Sequence, residues 1–332
     1  MSSSSHKRGG GSGSIGGRRP LPGSTIRGIP TYIIFPAAGV SLAVVYGYYS
    51  CLDEAPLTGR KRLLATSLAW ERQMGDEEYK QMIQRNRTNI LSPDHRASIT
   101  VRRVGSRISA AADKFAAQNL PENYVMGQRK PTYTVIRSDM ANAFVLPNNH
   151  IFVLTGLFKY ARDEDELAAV LGHEMAHCLA RHAGERVSGG LLMSIIARFV
   201  LLLDPTGVLY TLFVPAATLF HELPHSRYAE MEADHIGLYL AAEACYDPRA
   251  AKNVFSRMKE DDGGGGSRNA TPPEFISTHP SYDTRLSKFD DWMPEALAKY
   301  SADGGYKCRH VREEMRKARV LAAQVAATRE GK

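Results

Sequence analysis

The stretch LGHEMAHCLARH, residues 171–182, places two histidines four positions apart and a glutamate directly after the first. At helical spacing the imidazoles of His173 and His177 project from one face, one turn apart, so both can reach a single ion. Glu174 is rotated by about 100° from His173, so it can hold a water on the ion instead of binding the ion itself. The spacing therefore predicts a zinc site with its own general base on a helix.

A string of this kind also occurs by chance, so a third ligand must support it. Catalytic zinc usually takes three protein ligands and keeps the fourth position for water. In YAEMEADHIGLYLAA (228–242), Glu230 and Asp234 lie four apart on a second predicted helix. We expect Glu230 to complete a His–His–Glu set for one Zn²⁺ per chain, and Asp234 to accept a hydrogen bond from the far nitrogen of a ligand histidine. The alternative is a solvated acidic face, which we favour for Glu232.

Alternating apolar and polar residues predict a small β-sheet beside this helix. TYTVIRS (132–138) and HIFVLTG (150–156) have the strand pattern, AFVL (143–146) lies between them, and residues 147–149 give a Pro-Asn-Asn turn signal. Helical patterns dominate the rest of the chain. The predicted fold class is α+β, a mostly helical zincin-like metallopeptidase domain with a small β-sheet, preceded by a single N-terminal transmembrane helix.

Two capping signals predict where helices begin. Ser92 followed by Pro93 suits an N-cap and a first helical position. Asp163 with Glu166 forms a capping box ahead of the helix that carries the two histidines.

The N-terminal region differs in composition from the rest. Residues 1–30 are rich in Ser, Gly and Arg, so we expect them to be disordered, either as a flexible tail or as a mitochondrial presequence. Residues 31–52 run 22 positions without a charge, close to the roughly 20 that cross a bilayer. Basic residues precede this segment, whereas Asp53 and Glu54 follow it, which predicts that the C-terminal bulk crosses the membrane.

The remaining chain divides into a helical connector (53–90), a zinc metallopeptidase domain (91–300) and a C-terminal helix (301–332). A second apolar stretch, residues 189–220, is interrupted by charged residues and prolines. We predict that it forms a helical hairpin, either buried or dipping into the membrane near the site.

Net charge and cysteine content add little to the functional prediction. The net charge is +7, but no basic motif is interleaved with aromatic residues, so we expect no nucleic-acid partner. The four cysteines form no CxxC pair, so their spacing predicts neither a disulfide framework nor a redox compartment.

Three motifs in order carry a family resemblance: HEMAH (173–177), EMEAD (230–234) and STHPSYDTR (277–285). They resemble the gluzincin metallopeptidases that include the HtpX-like proteases and the CAAX prenyl endopeptidases. Within that group the likeness is greatest to the Oma-type mitochondrial inner-membrane endopeptidases. It runs from about residue 56 to residue 286.

The resemblance implies roles for individual residues. His173, His177 and Glu230 match the zinc ligands, and Glu174 matches the catalytic acid/base. His279 is implied to stabilise the oxyanion, and Arg285 to brace that segment. The stretch 142–157 resembles the strand beside the active site, so an extended substrate is expected to pair with Ala143, Phe144, Val145 and Leu146.

We therefore expect a membrane-anchored zinc metalloendopeptidase that hydrolyses membrane or misfolded proteins in mitochondrial quality control and stress response. The resemblance implies a single-pass protein of the mitochondrial inner membrane, its catalytic domain in the intermembrane space, contact with the lipid bilayer, and homo-oligomers. The alternative is a catalytically inactive, membrane-tethered chaperone or binding protein on a peptidase fold. The presence of all three ligands and the base argues against it.

Overall fold

The computed structural model of this 332-residue chain describes residues 25–26, 29–121, 131–204, 206–262, 279 and 282–330. The chain divides into two compact units, residues 1–51 and residues 52–332. In the first, two-residue strands β1 (Thr25–Ile26) and β2 (Ile29–Pro30) pair antiparallel ahead of helix α1 (Thr31–Ser50). A helix of 20 residues thus occupies the predicted N-terminal span. Most of the segment 1–30 lies outside the described residues.

The second unit begins with an antiparallel hairpin of β3 (Leu52–Glu54) and β4 (Lys61–Leu63), where the sequence predicted a helical connector. The reason is a buried charge on the hairpin. Arg62 donates two hydrogen bonds to Asp53 Oδ2, at 3.1 and 2.8 Å, and another to the carbonyl oxygen of Ala180. These contacts and the backbone pairing with β3 hold Lys61–Leu63 as a strand, so the connector becomes helical only from Leu68.

The predicted small sheet is present and has three strands in the order β5-β7-β6. Strand β5 (Thr132–Ile136) pairs parallel with β7 (His150–Leu154), and β6 (Ala143–Val145) pairs antiparallel with β7. The β6–β7 turn needs a left-handed residue, which Asn149 supplies with a φ of 66°. Because β6 is last in the strand order, it is an edge strand with one side unpaired in the described sheet.

Helices make up the rest of the second unit. Those described are α2 (Leu68–Arg85), α3 (Arg96–Asn119), α4 (Glu164–Leu179), α5 (His182–Leu203), α6 (Val208–Glu243), α7 (Ala250–Asp262), α8 (Tyr282–Tyr300) and α9 (Tyr306–Glu330). Short 3₁₀ helices lie at Thr155–Lys159 and Ala302–Gly305.

One of the two capping predictions is wrong. Helix α3 begins at Arg96, not at Pro93, because the ring of His95 caps it by accepting a hydrogen bond from the Ala97 amide at 3.1 Å. For α4 the predicted cap is confirmed, since Asp163 Oδ1 accepts from the Glu166 amide at 2.8 Å.

Helix α4 lies at the centre of the core and is buried on nearly every side. It packs against α3, α6 and α7, and its apolar residues share one cluster with Phe115 of α3 and Phe255 of α7. Helices α4 and α6 meet at Gly172 and Gly237, where neither residue carries a side chain. The backbones can therefore approach closely, which brings the acidic residues of α6 beside the histidines of α4.

The stretch 189–220 forms the predicted helical hairpin, in which α5 ends at Leu203 and α6 begins at Val208. The buried alternative is wrong for the second half of α5, because Phe199 and Leu202 are 59% and 76% exposed. Among the described residues, α5 is the one helix long and apolar enough to cross a membrane, by length and composition. This helix is internal, whereas the sequence placed the single span at residues 31–52.

A disulfide joins Cys245, just after α6, to Cys308 in α9. The spacing of the four cysteines does not indicate this pairing. The two cysteines lie 63 positions apart, and only the packing of α9 on the end of α6 brings their Cα atoms to 5.0 Å.

Candidate metal centre

His173, His177 and Glu230 converge on one point. The Nε2 atoms of the two histidines lie 3.1 Å apart. Glu230 approaches both, with Oε2 3.4 Å from His173 Nε2 and Oε1 3.4 Å from His177 Nε2. With zinc–ligand bonds of about 2.0–2.1 Å, ligand atoms of a tetrahedral site stand about 3.3 Å apart. Both the donor types and their separations therefore fit Zn²⁺.

The surroundings act on the two histidines in opposite directions. Burial lowers the pKa of His173, but hydrogen bonds to Asp234 and Glu230 outweigh burial and raise that pKa to about 9, so this ring must lose its Nε2 proton to bind a metal. Burial lowers the pKa of His177 well below its ordinary range, so its ring stays neutral, the form that binds metals. In His173, Nε2 faces the convergence point, so Nδ1 carries the proton and donates to Asp234 Oδ1 at 2.9 Å. Arg285 fixes that carboxylate, donating to Oδ2 at 2.6 Å and to Oδ1 at 2.8 Å. Burial alone raises the pKa of Asp234, but the charges and hydrogen bonds of Arg285 and His173 together outweigh burial and lower the pKa.

His279 lies at the same point. Its Nδ1 is 3.0 Å from both carboxylate oxygens of Glu230 and 3.3 Å from His173 Nε2. Four side chains, His279 included, thus offer one ligand atom each within 4.8 Å of one another. Arg285 donates a hydrogen bond to the carbonyl oxygen of His279 at 3.1 Å.

Glu174 is buried beside these residues and does not join the ligand set. Burial raises the pKa of its carboxyl group, and the positive charges of His279 and His173 act against that rise. Within the described parts of the chain, its Oε1 is buried without a hydrogen-bond partner; His279 Nε2 stands 3.5 Å away. A carboxylate of this kind is suited to exchange a proton with a small molecule at the convergence point.

Sequence reasoning missed two residues of the site. Glu232, predicted to lie on a solvated face, is 3% exposed and accepts a hydrogen bond from His182 Nε2 at 3.0 Å. His182 in turn contacts His177 Nδ1 at 2.8 Å. Burial raises the pKa of Glu232, but hydrogen bonds from His182 and Arg60 outweigh it and lower the pKa to about 2. A signal was present in the quoted stretch, which ends on His182 five positions after His177.

A cleft of about 470 Å³ opens onto the convergence point. Glu174, His177 and His279 line its floor, α2 forms one wall, and residues 142–145 form another. Ala143, Phe144 and Val145 of the edge strand line this cleft.

Leu146 does not line the cleft. It follows the end of β6, and its side chain is buried with Ile136 and Phe152. Its amide donates to the carbonyl oxygen of His150 at 2.8 Å, and its own carbonyl oxygen accepts from Asn149 at 2.9 Å. Both backbone groups of Leu146 are thus used by the turn, which leaves neither free to pair with a substrate segment.

Comparison with known proteins identifies the family. Residues 99–293, more than half of the chain, match the profile of peptidase family M48. The chain belongs to peptidase family M48. It is 36% identical over 260 residues to the mitochondrial metalloendopeptidase OMA1 of Schizosaccharomyces pombe, which covers 78% of this chain and 72% of that protein.

Two further relatives carry the OMA1 name. The OMA1 protein of Saccharomyces cerevisiae is 30% identical over 262 residues, 77% of this chain and 74% of that protein. The human mitochondrial metalloendopeptidase OMA1 is 31% identical over 264 residues, 77% of this chain and 48% of that protein. The resemblance drawn from the three motifs is therefore confirmed, and the chain is an M48 metalloendopeptidase with a candidate site at His173, His177 and Glu230.

Proposed function

We propose that this M48 chain is a membrane-anchored zinc metalloendopeptidase that hydrolyses peptide bonds in membrane or misfolded proteins. The observation that carries the proposal is the convergence of His173 Nε2, His177 Nε2 and the Glu230 carboxylate, with Glu174 buried beside them. An inactive chaperone on the same fold would have no use for a buried glutamate whose Oε1 makes no hydrogen bond in the described structure.

The three converging side chains would hold one Zn²⁺ per chain. When bound, zinc acts as a Lewis acid that polarises a carbonyl and lowers the pKa of a water to about 7. Glu174 takes the proton of the attacking water and returns it to the leaving amine as the peptide bond breaks. His279, whose Nε2 faces Glu174, donates a hydrogen bond to the oxyanion that develops on the carbonyl.

The substrate would bind as an extended segment along β6. Edge strands accept an added strand through their unpaired backbone groups, and side-chain pockets then select the sequence. Ala143, Phe144 and Val145 lie in the same cleft as Glu174, so a segment paired there runs past the base. This mode favours unfolded or exposed segments over folded domains.

The membrane part of the proposal rests on two segments. Residues 31–52 would anchor the chain, and the exposed apolar side of α5 would contact the bilayer. The names of the relatives support a mitochondrial location. We assign the anchor to the inner membrane and the catalytic domain to the intermembrane space. The Cys245–Cys308 disulfide supports a compartment that permits disulfide formation. Homo-oligomers follow from the family resemblance.

Cleavage of casein by the purified full-length chain tests the proposal. Wild-type protein should cleave it, lose activity with a chelator, and regain activity with Zn²⁺. Glu174→Gln should keep its zinc content and lose about 10²- to 10⁴-fold in rate, the range for a general base. If Glu174→Gln cleaves at the wild-type rate, Glu174 is not the base. If wild-type protein binds no zinc and only suppresses aggregation, the chaperone alternative is correct.

A further inference from the structure

We propose that His182 and Glu232 are positioning residues for the metal centre, which orient His177 for ligation as Asp234 orients His173. The inference rests on the proposed zinc function of the site. It concerns the chain's own hydrogen bonds, which can be tested through metal affinity without measuring cleavage.

The hydrogen bonds run in one direction from the ligand to the acid. Because His177 Nε2 faces the convergence point, its Nδ1 carries the proton and donates to His182 Nδ1 at 2.8 Å. The second ring must then carry its own proton on Nε2, and it donates to Glu232 Oε2 at 3.0 Å. Each nitrogen of His182 therefore has one role, and the tautomers of both rings are determined by this arrangement.

Glu232 is itself held in place. Arg60 donates to its Oε1 from Nε at 2.8 Å and to its Oε2 from Nη2 at 3.0 Å. Thr58 donates to Oε1 at 2.8 Å. Both donors come from the segment between β3 and β4, so the hairpin at the start of the second unit supports the metal site.

Helix α6 thus supplies one carboxylate at the convergence point and one for each of the two ligand histidines. Glu230 reaches the convergence point, Asp234 contacts His173 directly, and Glu232 reaches His177 through one intervening ring. The intervening ring is available because the chain reverses after α4. Arg181 adopts a left-handed φ of 54°, and α5 begins at the next residue, which places His182 back against His177.

A purely structural role would look different. The Arg60 guanidinium also donates to Glu185 at 2.6 and 2.8 Å, so this buried ion cluster could stabilise the domain without contacting a ligand. What distinguishes the positioning role is His182, which joins the cluster to the far nitrogen of a candidate ligand. Groups in that position typically change metal affinity by about 10- to 100-fold when removed.

The test measures Zn²⁺ affinity of the full-length chain in detergent by competition with a chromophoric chelator. His182→Ala should raise the Zn²⁺ Kd about 10- to 100-fold. His182→Asn keeps an acceptor where Nδ1 stood and should recover part of the affinity. His182→Gln keeps only a donor toward Glu232 and should recover little. If His182→Ala fails to fold, Glu232→Gln, expected to raise the Kd about tenfold, and His182→Asn carry the test.

Glu243→Gln is the matched control. Glu243 is also an ion-paired acid of α6, contacting Lys114 and Lys307 at 3.0 and 2.9 Å, but it touches no residue of the site. Its variant should keep the wild-type Zn²⁺ Kd within about twofold. With Co²⁺ in place of Zn²⁺, the visible ligand-field spectrum should change in His182→Ala and stay unchanged in Glu243→Gln.

The outcomes separate the two proposals. If wild-type protein binds zinc and cleaves, but His182→Ala and Glu232→Gln bind zinc as tightly as Glu243→Gln does, the positioning role is overturned and the proposed function stands. If wild-type protein itself binds no zinc, the proposed function fails first. If the His182 variants melt at a lower temperature but bind zinc as tightly as wild type, the cluster of His182, Glu232 and Arg60 serves fold stability alone.

Discussion

Gly237 of helix α6 lies directly against the backbone of His173 in helix α4: a Cβ at position 237 would stand 2.9 Å from the His173 amide nitrogen. From the other helix, a Cβ on Gly172 would meet the carbonyl oxygen of Gly237 at 3.0 Å. Glu230 lies about two turns before Gly237 on α6. The close approach at this crossing therefore sets how near the Glu230 carboxylate comes to the two histidines.

Gly237→Ala should destabilise the protein and weaken the metal site together. The new methyl group has only backbone to displace, so α4 and α6 must separate, at a cost of about 1–3 kcal/mol. The measurement is the melting temperature with and without Zn²⁺. Gly190→Ala is the control, because a Cβ there meets nothing within 4 Å and the change should stabilise α5. An equal rise in melting temperature on adding Zn²⁺ in the Gly237 variant and wild type would show that the crossing does not determine the site.

This crossing also explains how much of the site could be predicted from sequence. The His173–His177 pair follows from helical spacing, which is local. Placing Glu230 beside the pair needs the contact of two helices. The spacing of Glu230 and Asp234 made Glu230 a candidate, and the family resemblance supported it, but neither gives the helix contact itself. Glu232 was misjudged because its partners, Arg60 and His182, come from distant segments that bury it. The Cys245–Cys308 disulfide was missed for the same reason.

The hairpin prediction illustrates a different limit. Composition showed that residues 189–220 are apolar and helical, but it could not decide between burial and exposure. The exposure of the α5 side chains decides it for the second half of that helix.

Leu202 should contact lipid acyl chains in proteoliposomes of the full-length protein. Its side chain is 76% exposed on a helix otherwise suited to a bilayer. Leu202→Cys, made after Cys51 and Cys178 are changed to Ser, would carry an environment-sensitive fluorophore. Brominated lipids should quench it strongly. The control label at Glu77 of α2, on an exposed charged surface, should not be quenched. Equal quenching at both positions, or at neither, contradicts bilayer contact by α5.

Glu243 should make the stability of the metal-free protein depend on acid pH. Burial raises the pKa of its carboxyl group, but hydrogen bonds from Lys307 and Lys114 outweigh burial and lower the pKa to about 2. Because the folded pKa lies below the ordinary 4.5, the contribution is fully present above 4.5 and is lost as pH falls toward about 2. Melting temperature in chelator should therefore fall more steeply for wild type than for Glu243→Gln across this window. Parallel curves would mean that the ion pairs of Glu243 with Lys114, Lys299 and Lys307 contribute no stability.

His279→Ala should lower kcat about 10²-fold and leave KM nearly unchanged, because a group that donates to the developing oxyanion acts only in the transition state. Zinc content should stay the same, since His173, His177 and Glu230 remain. Steady-state kinetics on a quenched-fluorescence peptide, with zinc measured by mass spectrometry, check both. His235→Ala is the control, because that ring stacks on Trp292 at 4.8 Å, outside the cleft.

A rise in kcat in His279→Ala is the outcome that contradicts the oxyanion role. His279 Nδ1 stands 3.0 Å from both oxygens of Glu230, so the ring could occupy the corner that a catalytic water needs. A rise in kcat on removing the ring would exclude the oxyanion role and identify His279 as an inhibitory fourth ligand.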